Sequence, residues 1–333
     1  MNPTRREAIQ CLSSAAAGWM IQLPDCLALG ACAVQPDLVG FTSMCFTDTT
    51  GAKHQIYVKG SAGPPVILLH EITGLTTPAV STARQLADAG YTPIVPLLFG
   101  ELEKSAPFRN MQRVCGDDKF ACNRGERTSP EVQWLRQLSQ CVRRTWPDAK
   151  GVGVIGMCLT GAFPIPMLRT PEVVAPVLCQ PTLPFNRMNP LHAFGWFTDQ
   201  RALAVHPDDL QHAKRATSVP LLGIRYKGDR KCQAKRFERL TKEFPDRFFR
   251  LDVPGRHHST LAGDFCPDAF REVLSFFNQH LRTSPDSCSA PFPILSQANS
   301  LAEVTPSACR GGTHAISHSD HTASSKGSTC LSA

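Results

Sequence analysis

Residues Gly153-Val154-Ile155-Gly156-Met157-Cys158-Leu159-Thr160-Gly161 run an apolar strand directly into a turn of small residues with a cysteine at its apex. An uninterrupted apolar strand is buried on both faces, as in a parallel sheet, and glycine lets the chain turn sharply where another backbone comes close. Such a turn places Cys158 at the carboxyl edge of a sheet, presented as a nucleophile. The competing reading is a buried, inert thiol, one of fourteen cysteines in the chain.

The surrounding pattern supports a sheet of this kind. From Phe41 onward, strand-like segments alternate with helix-like ones, which predicts an α/β fold with a mostly parallel twisted sheet flanked by helices on both faces. The predicted strands are residues 55–58, 66–70, 92–96, 152–157, 176–179, 221–226 and 248–253. The predicted helices are 78–89, 130–144, 207–215, 234–243 and 267–281, several opening on proline, whose missing N–H is harmless in the first turn. Trp134, Leu135, Leu138, Cys141 and Val142 share one helical face and read as a buried stripe.

A second strand-turn segment, Val66-Ile67-Leu68-Leu69-His70-Glu71-Ile72-Thr73-Gly74, ends in a charged residue and a glycine turn. Together with the cysteine turn, with Gly228-Asp229 and with His258-Ser259, in the order nucleophile, acid, histidine, it resembles the dienelactone hydrolase family across residues 40–281. The resemblance implies an α/β-hydrolase fold and hydrolysis of a small carboxylic ester or lactone, with no cofactor or metal. It further implies Cys158 as nucleophile in a nucleophile elbow, with the backbone N–H groups of Leu159 and Ile72 as the oxyanion hole. Glu71 takes the place of the family's glutamate, which interacts with the cysteine and takes part in its activation when substrate arrives.

The residues leave alternatives beside each role. Asp229 follows an apolar strand and a turn glycine, so it either orients the histidine or caps the turn. His257 and His258 both follow the last strand; the His-Ser step of the family favours His258. Glu71 is costly to bury unpartnered, or else it is a surface acid paired with an arginine. The turn also departs from the family pattern: Thr160 stands where glycine is expected, a β-branched residue that would crowd the contact. Pro164 and Pro166 each remove a helical hydrogen bond beyond the first turn, so the following helix should be kinked or short. These departures sustain a second function, a binding protein of the same fold whose catalysis has lapsed. A third reading makes Cys158 a redox sensor, although no resolving cysteine lies nearby in sequence.

The formal net charge is +7. The densest basic cluster, from Arg225 to Lys242, is interrupted by Asp229 and Glu238 and has no aromatic interleaving. It reads as a solvated helix face, not a nucleic-acid surface. No apolar run reaches the roughly 20 residues of a membrane span, and the partner that the family resemblance implies is a small-molecule ester or lactone. No Cys/His spacing resembles a zinc site, and Cys115 and Cys122 are either free or bridged. Residues 1–36, with Arg5-Arg6, an apolar stretch and Ala31-Cys32-Ala33, have the layout of a twin-arginine export signal. The alternative is an amino-terminal helix on a cytoplasmic protein. Residues 37–282 form the expected hydrolase domain, and the Ser/Thr/Ala/Gly-rich residues 283–333 an expected disordered tail.

Overall fold

A computed structural model describes residues 27–29, 38–60, 62–110, 128–182 and 200–282. The twin-arginine motif, the Cys115 and Cys122 pair and the tail from residue 283 lie outside the described residues. Nine strands form one sheet: β1 (Leu27–Leu29), β2 (Thr42–Thr47), β3 (Lys53–Val58), β4 (Pro65–Leu69), β5 (Thr92–Pro96), β6 (Val152–Met157), β7 (Val173–Cys179), β8 (Leu221–Tyr226) and β9 (Phe248–Val253), in the spatial order 1-2-3-5-4-6-7-8-9. The first three strands pair antiparallel, as does β3 with β5, and every pairing from β5 to β9 is parallel.

The helices are α1 (Thr77–Asp88), α2 (Pro130–Thr145), α3 (Pro164–Met167), α4 (Pro207–Arg215), α5 (Ala234–Glu243) and α6 (Pro267–Leu281). The central strands are buried on both faces and feed two cores. Ile67, Leu69, Val152 and Val154 meet α2, α4 and α5 on one side. Val66, Leu68, Ile155 and Met157 meet α1 and α6 on the other. The stripe from Trp134 to Val142 lies wholly in the first core. Ser129 caps α2, its hydroxyl accepting from the Val132 amide at 3.2 Å, and Pro130 occupies the first turn.

Chain order reverses between β4 and β6, whose neighbours β5 and β7 lie on opposite sides. Such a switch point opens a crevice at the carboxyl ends of the strands. Gly156 pairs with Leu69, and Met157 with Cys179. The residues that follow β4, β6, β7, β8 and β9 therefore meet along one edge of five contiguous strands.

Two expectations need revision. The basic cluster is not uniformly solvated. Arg225 and Arg236 are buried, the first donating to the carbonyls of Tyr226, Cys232 and Lys227, the second to those of Ala202, Pro181 and Lys231. Their guanidinium forks bind backbone oxygens at the ends of strands and turns. Strands β1 and β2, both absent from the predicted set, extend the antiparallel side of the sheet, with β1 at its edge. Cys45 and Cys141 are each disulfide-bonded, whereas Cys158, Cys179, Cys232 and Cys266 are free thiols.

Candidate active site

The turn after β6 holds Cys158 at φ +56, in the left-handed region that non-glycine residues rarely adopt. Its neighbours make room for this bend. A Cβ on Gly156 would collide with the Thr160 carbonyl. One on Gly161 would lie 2.6 Å from the Pro181 Cα and 2.7 Å from the Cys179 carbonyl oxygen.

Thr160, expected to crowd the contact, is fully buried and tied in by its hydroxyl. The oxygen accepts from the Met157 amide at 3.0 Å and lies 3.0 Å from the Met157 carbonyl, 3.1 Å from that of Leu69 and 3.3 Å from that of His70. It stitches the cysteine turn to the end of β4. The chain forms a 3₁₀ turn at Cys158–Thr160 and then the four-residue α3, short as expected, although Pro164 and Pro166 stand within its first turn and not beyond it.

His258 meets this turn from the loop after β9. Its Nδ1 lies 2.7 Å from the Asp229 Oδ2, and its ring is close enough to the Cys158 sulfur to interact with it electrostatically. Its Nε2 also lies 3.4 Å from the Thr182 hydroxyl. Burial opposes a charge on this imidazole, but the Cys158 sulfur and the Asp229 carboxylate outweigh it and push His258 up to about 10.

Asp229 fills both of the roles considered for it. Oδ2 holds the imidazole, while Oδ1 caps the turn by accepting from the amides of Lys231 at 2.8 Å and Cys232 at 3.1 Å. The Asp264 Oδ2 accepts from the amides of His258 and Ser259, and these bonds hold its own carboxyl below the usual range despite the opposing effect of burial. His257 points elsewhere: its side chain is 63% exposed and stands edge-on to Tyr226.

Glu71 is a buried acid without an arginine partner among the described residues. Its Oε1 accepts from the Ser259 hydroxyl at 2.6 Å and the Gln180 amide at 2.9 Å. Gln180 is itself fully buried and left-handed, and its own oxygen accepts from the Thr260 amide at 3.3 Å and hydroxyl at 2.5 Å. The carboxylate is thus held between the β7 loop and the histidine loop. Neither Gln180 nor Thr182 stands out in the sequence, their signal being position directly after β7, and Ser259 enters there only as a marker for His258. The nearby Cys179 is buried, and burial pushes its thiol far up, so it is inert.

The amides of Leu159 and Ile72 donate to no other backbone carbonyl among the described residues. Among the described residues no cluster of three or more His, Cys, Asp or Glu could hold a metal ion, and no helix is long and apolar enough to cross a membrane. Phe185, His192, Phe194, Trp196 and Phe197, which in the sequence read either as a loose aromatic lining of a pocket or as core, lie outside the described residues.

The fold has relatives among solved structures. A Pyrococcus furiosus esterase aligns at a TM-score of 0.51 with 14% identity, over 76% of this chain and 99% of the other. A Klebsiella pneumoniae protein assigned as a dienelactone hydrolase gives 0.50 with 17% identity, over 72% and 96%. A thermostable carboxyl esterase of Bacillus coagulans gives 0.50 with 12% identity, over 73% and 99%. At these identities the likeness is one of fold. No curated protein sequence matches this chain significantly. The family model for the dienelactone hydrolase family matches residues 55–254, from β3 to the end of β9 and so through all of the parallel sheet. The chain belongs to the dienelactone hydrolase family, an α/β-hydrolase family of carboxylic ester hydrolases.

Proposed function

We propose that this chain hydrolyses a small carboxylic ester or lactone through a Cys158-His258-Asp229 triad and a thioacyl-enzyme. The observation that carries the reading is the placement of one imidazole between the Asp229 carboxylate, 2.7 Å from Nδ1, and the side chain of a cysteine held left-handed at the apex of a strand-to-turn junction.

The Cys158 thiolate, paired with a protonated His258, attacks the carbonyl carbon. Negative charge moves to the carbonyl oxygen, where the Leu159 and Ile72 amides receive it. Collapse expels the alkoxide, which takes a proton from His258 and leaves a thioester on Cys158. Neutral His258 then draws a proton from water, whose oxygen attacks the thioester. The acid departs and the thiolate-imidazolium pair returns. Asp229 keeps the ring oriented and its charge compensated throughout. Glu71, by family membership, assists in activating the thiol, from a position fixed by Ser259 and Gln180. The binding-only alternative rested on Thr160, Pro164 and Pro166; the hydrogen bonds of Thr160 speak against crowding at that residue, and the Cys158→Ala comparison below decides between the two readings.

The test is release of p-nitrophenol from short-chain p-nitrophenyl esters by wild type and Cys158→Ala, followed through the pre-steady-state phase. A burst equal to the enzyme concentration, lost in the variant, is expected, together with iodoacetamide labelling of Cys158. Equal background rates in both proteins would overturn the reading.

A further inference from the structure

His70 is fully buried beside the site and has no part in the triad. Its two ring nitrogens face opposite kinds of partner. Nε2 receives the Leu98 backbone N–H at 3.1 Å, so it carries no proton. Nδ1 lies 3.0 Å from the Glu71 carbonyl oxygen, which can only accept, so Nδ1 carries the proton. The hydrogen bonds thus define a neutral ring in a single tautomer. Burial, only partly opposed by the bond to Glu71, pushes His70 down to about 4. The ring edge also rests against Phe99, with centroids 4.6 Å apart.

The Glu71 carbonyl that His70 holds belongs to the same peptide unit as the Ile72 N–H. In a planar trans peptide the C=O and N–H point in opposite directions, so fixing one aims the other. That carbonyl also accepts from the Gly74 amide at 2.9 Å. Two donors on one carbonyl polarise the peptide and strengthen its N–H as a donor. Asn110 pins the next peptide, its Nδ2 donating to the Ile72 carbonyl at 2.8 Å. The His70 carbonyl lies within reach of the Thr160 hydroxyl, which joins this loop to the cysteine turn.

We infer that His70 is a positioning residue for the oxyanion hole: its Nδ1–H fixes and polarises the Glu71–Ile72 peptide, so that the Ile72 N–H is aimed at the oxyanion before substrate arrives. This rests on the acyl-transfer reading proposed above, with Ile72 as one of its two donors. His70 acts through the peptide and touches neither substrate nor thiol.

The test compares His70→Asn, whose amide nitrogen can take the place of Nδ1, with His70→Gln, which reaches the Nε2 position, and with His70→Leu, which supplies neither group. In Gln and Leu, kcat for a p-nitrophenyl ester falls on the order of 10- to 100-fold with KM within about twofold, since a misplaced donor is felt in the transition state. Asn keeps kcat within about threefold of wild type. Affinity for a small aldehyde, which forms a hemithioacetal with an oxyanion on Cys158, weakens in step with kcat/KM. Alkylation of Cys158 by iodoacetamide builds no oxyanion and keeps its wild-type rate. Because the ring is neutral throughout, the ratio of wild-type to variant kcat stays constant from about pH 5.5 to 9.

Equal kcat in the Asn and Gln variants would overturn the inference, as would a fall in alkylation parallel to the fall in ester turnover. The Asn–Gln comparison stands even if the Leu variant fails to fold. Failure of wild type itself to turn over ester or to be alkylated at Cys158 would instead overturn the acyl-transfer reading.

Discussion

Replacing Thr160 by valine removes one oxygen and leaves the β-branched shape, so it isolates what the hydroxyl does. That oxygen accepts from the Met157 amide at 3.0 Å, and its single proton goes to one of three carbonyls between 3.0 and 3.3 Å away. The variant forfeits one donated bond, worth about 1 kcal/mol, and leaves a buried amide without its acceptor, costing about 1–3 kcal/mol. The sum is a destabilisation of about 3 kcal/mol. For a domain of this size that lowers Tm by roughly 6–12 °C. Thr160→Ser, which keeps the oxygen, should stay within about 1 kcal/mol of wild type. Urea unfolding at fixed pH measures the differences directly, provided the slopes with denaturant agree among the variants. If crowding dominated, Thr160→Gly would raise stability; the hydrogen bonds require that it fall. A valine variant within 0.5 kcal/mol of wild type, or a stabilised glycine variant, would refute the reasoning.

The raised His258 predicts a second behaviour. A group with a folded pKa of about 10, above its ordinary 6.5, stabilises the fold fully below about pH 6.5, and the contribution is lost as pH rises through 10. The alkaline limb of kcat/KM should accordingly lie well above the ordinary histidine range and move down in Asp229→Asn; a wild-type limb near pH 6.5 would contradict it. Gln180→Glu places a second carboxylate where the amide nitrogen now lies 2.9 Å from Glu71. The two then share a proton and add an ionisation to the pH–rate profile that Gln180→Ala does not show. An unchanged profile would mean that Gln180 and Glu71 do not face each other in solution.

Periodicity exposed the scaffold well. Strands β5, β6, β8 and β9 and helices α4, α5 and α6 begin and end where their apolar pattern and proline starts place them. Apart from the half-buried edge strand β9, these elements are buried continuously or along one stripe, so composition reports their surroundings. Strand β2, Thr42–Thr47, mixes Thr, Ser, Met and Cys, and takes its extended form from pairing with β1 and β3. The site divides the same way. Strand ends point to Cys158, Asp229 and the pair His257-His258, and the family resemblance supplies the chain order and the choice of His258. Gln180 was illegible, and so was the cross-strand part of Thr160's role, because those partners lie far off in sequence: Glu71 is 109 residues from Gln180, and the Leu69 carbonyl 91 from Thr160. Arg236 misled for a related reason. Its partners are backbone oxygens, which leave no trace in side-chain patterning.

The left-handed turn at residue 158 is set by what surrounds it: the collisions that exclude a Cβ at Gly156 and Gly161, and the clasp of the Thr160 hydroxyl. None of these involves the sulfur. The main chain therefore forms a socket for a short nucleophilic side chain and is indifferent to which heteroatom fills it. Exchange of thiol for alcohol should therefore leave the bend and the Leu159 amide in place. The shape of the turn and the identity of the side chain it presents are separable in this chain.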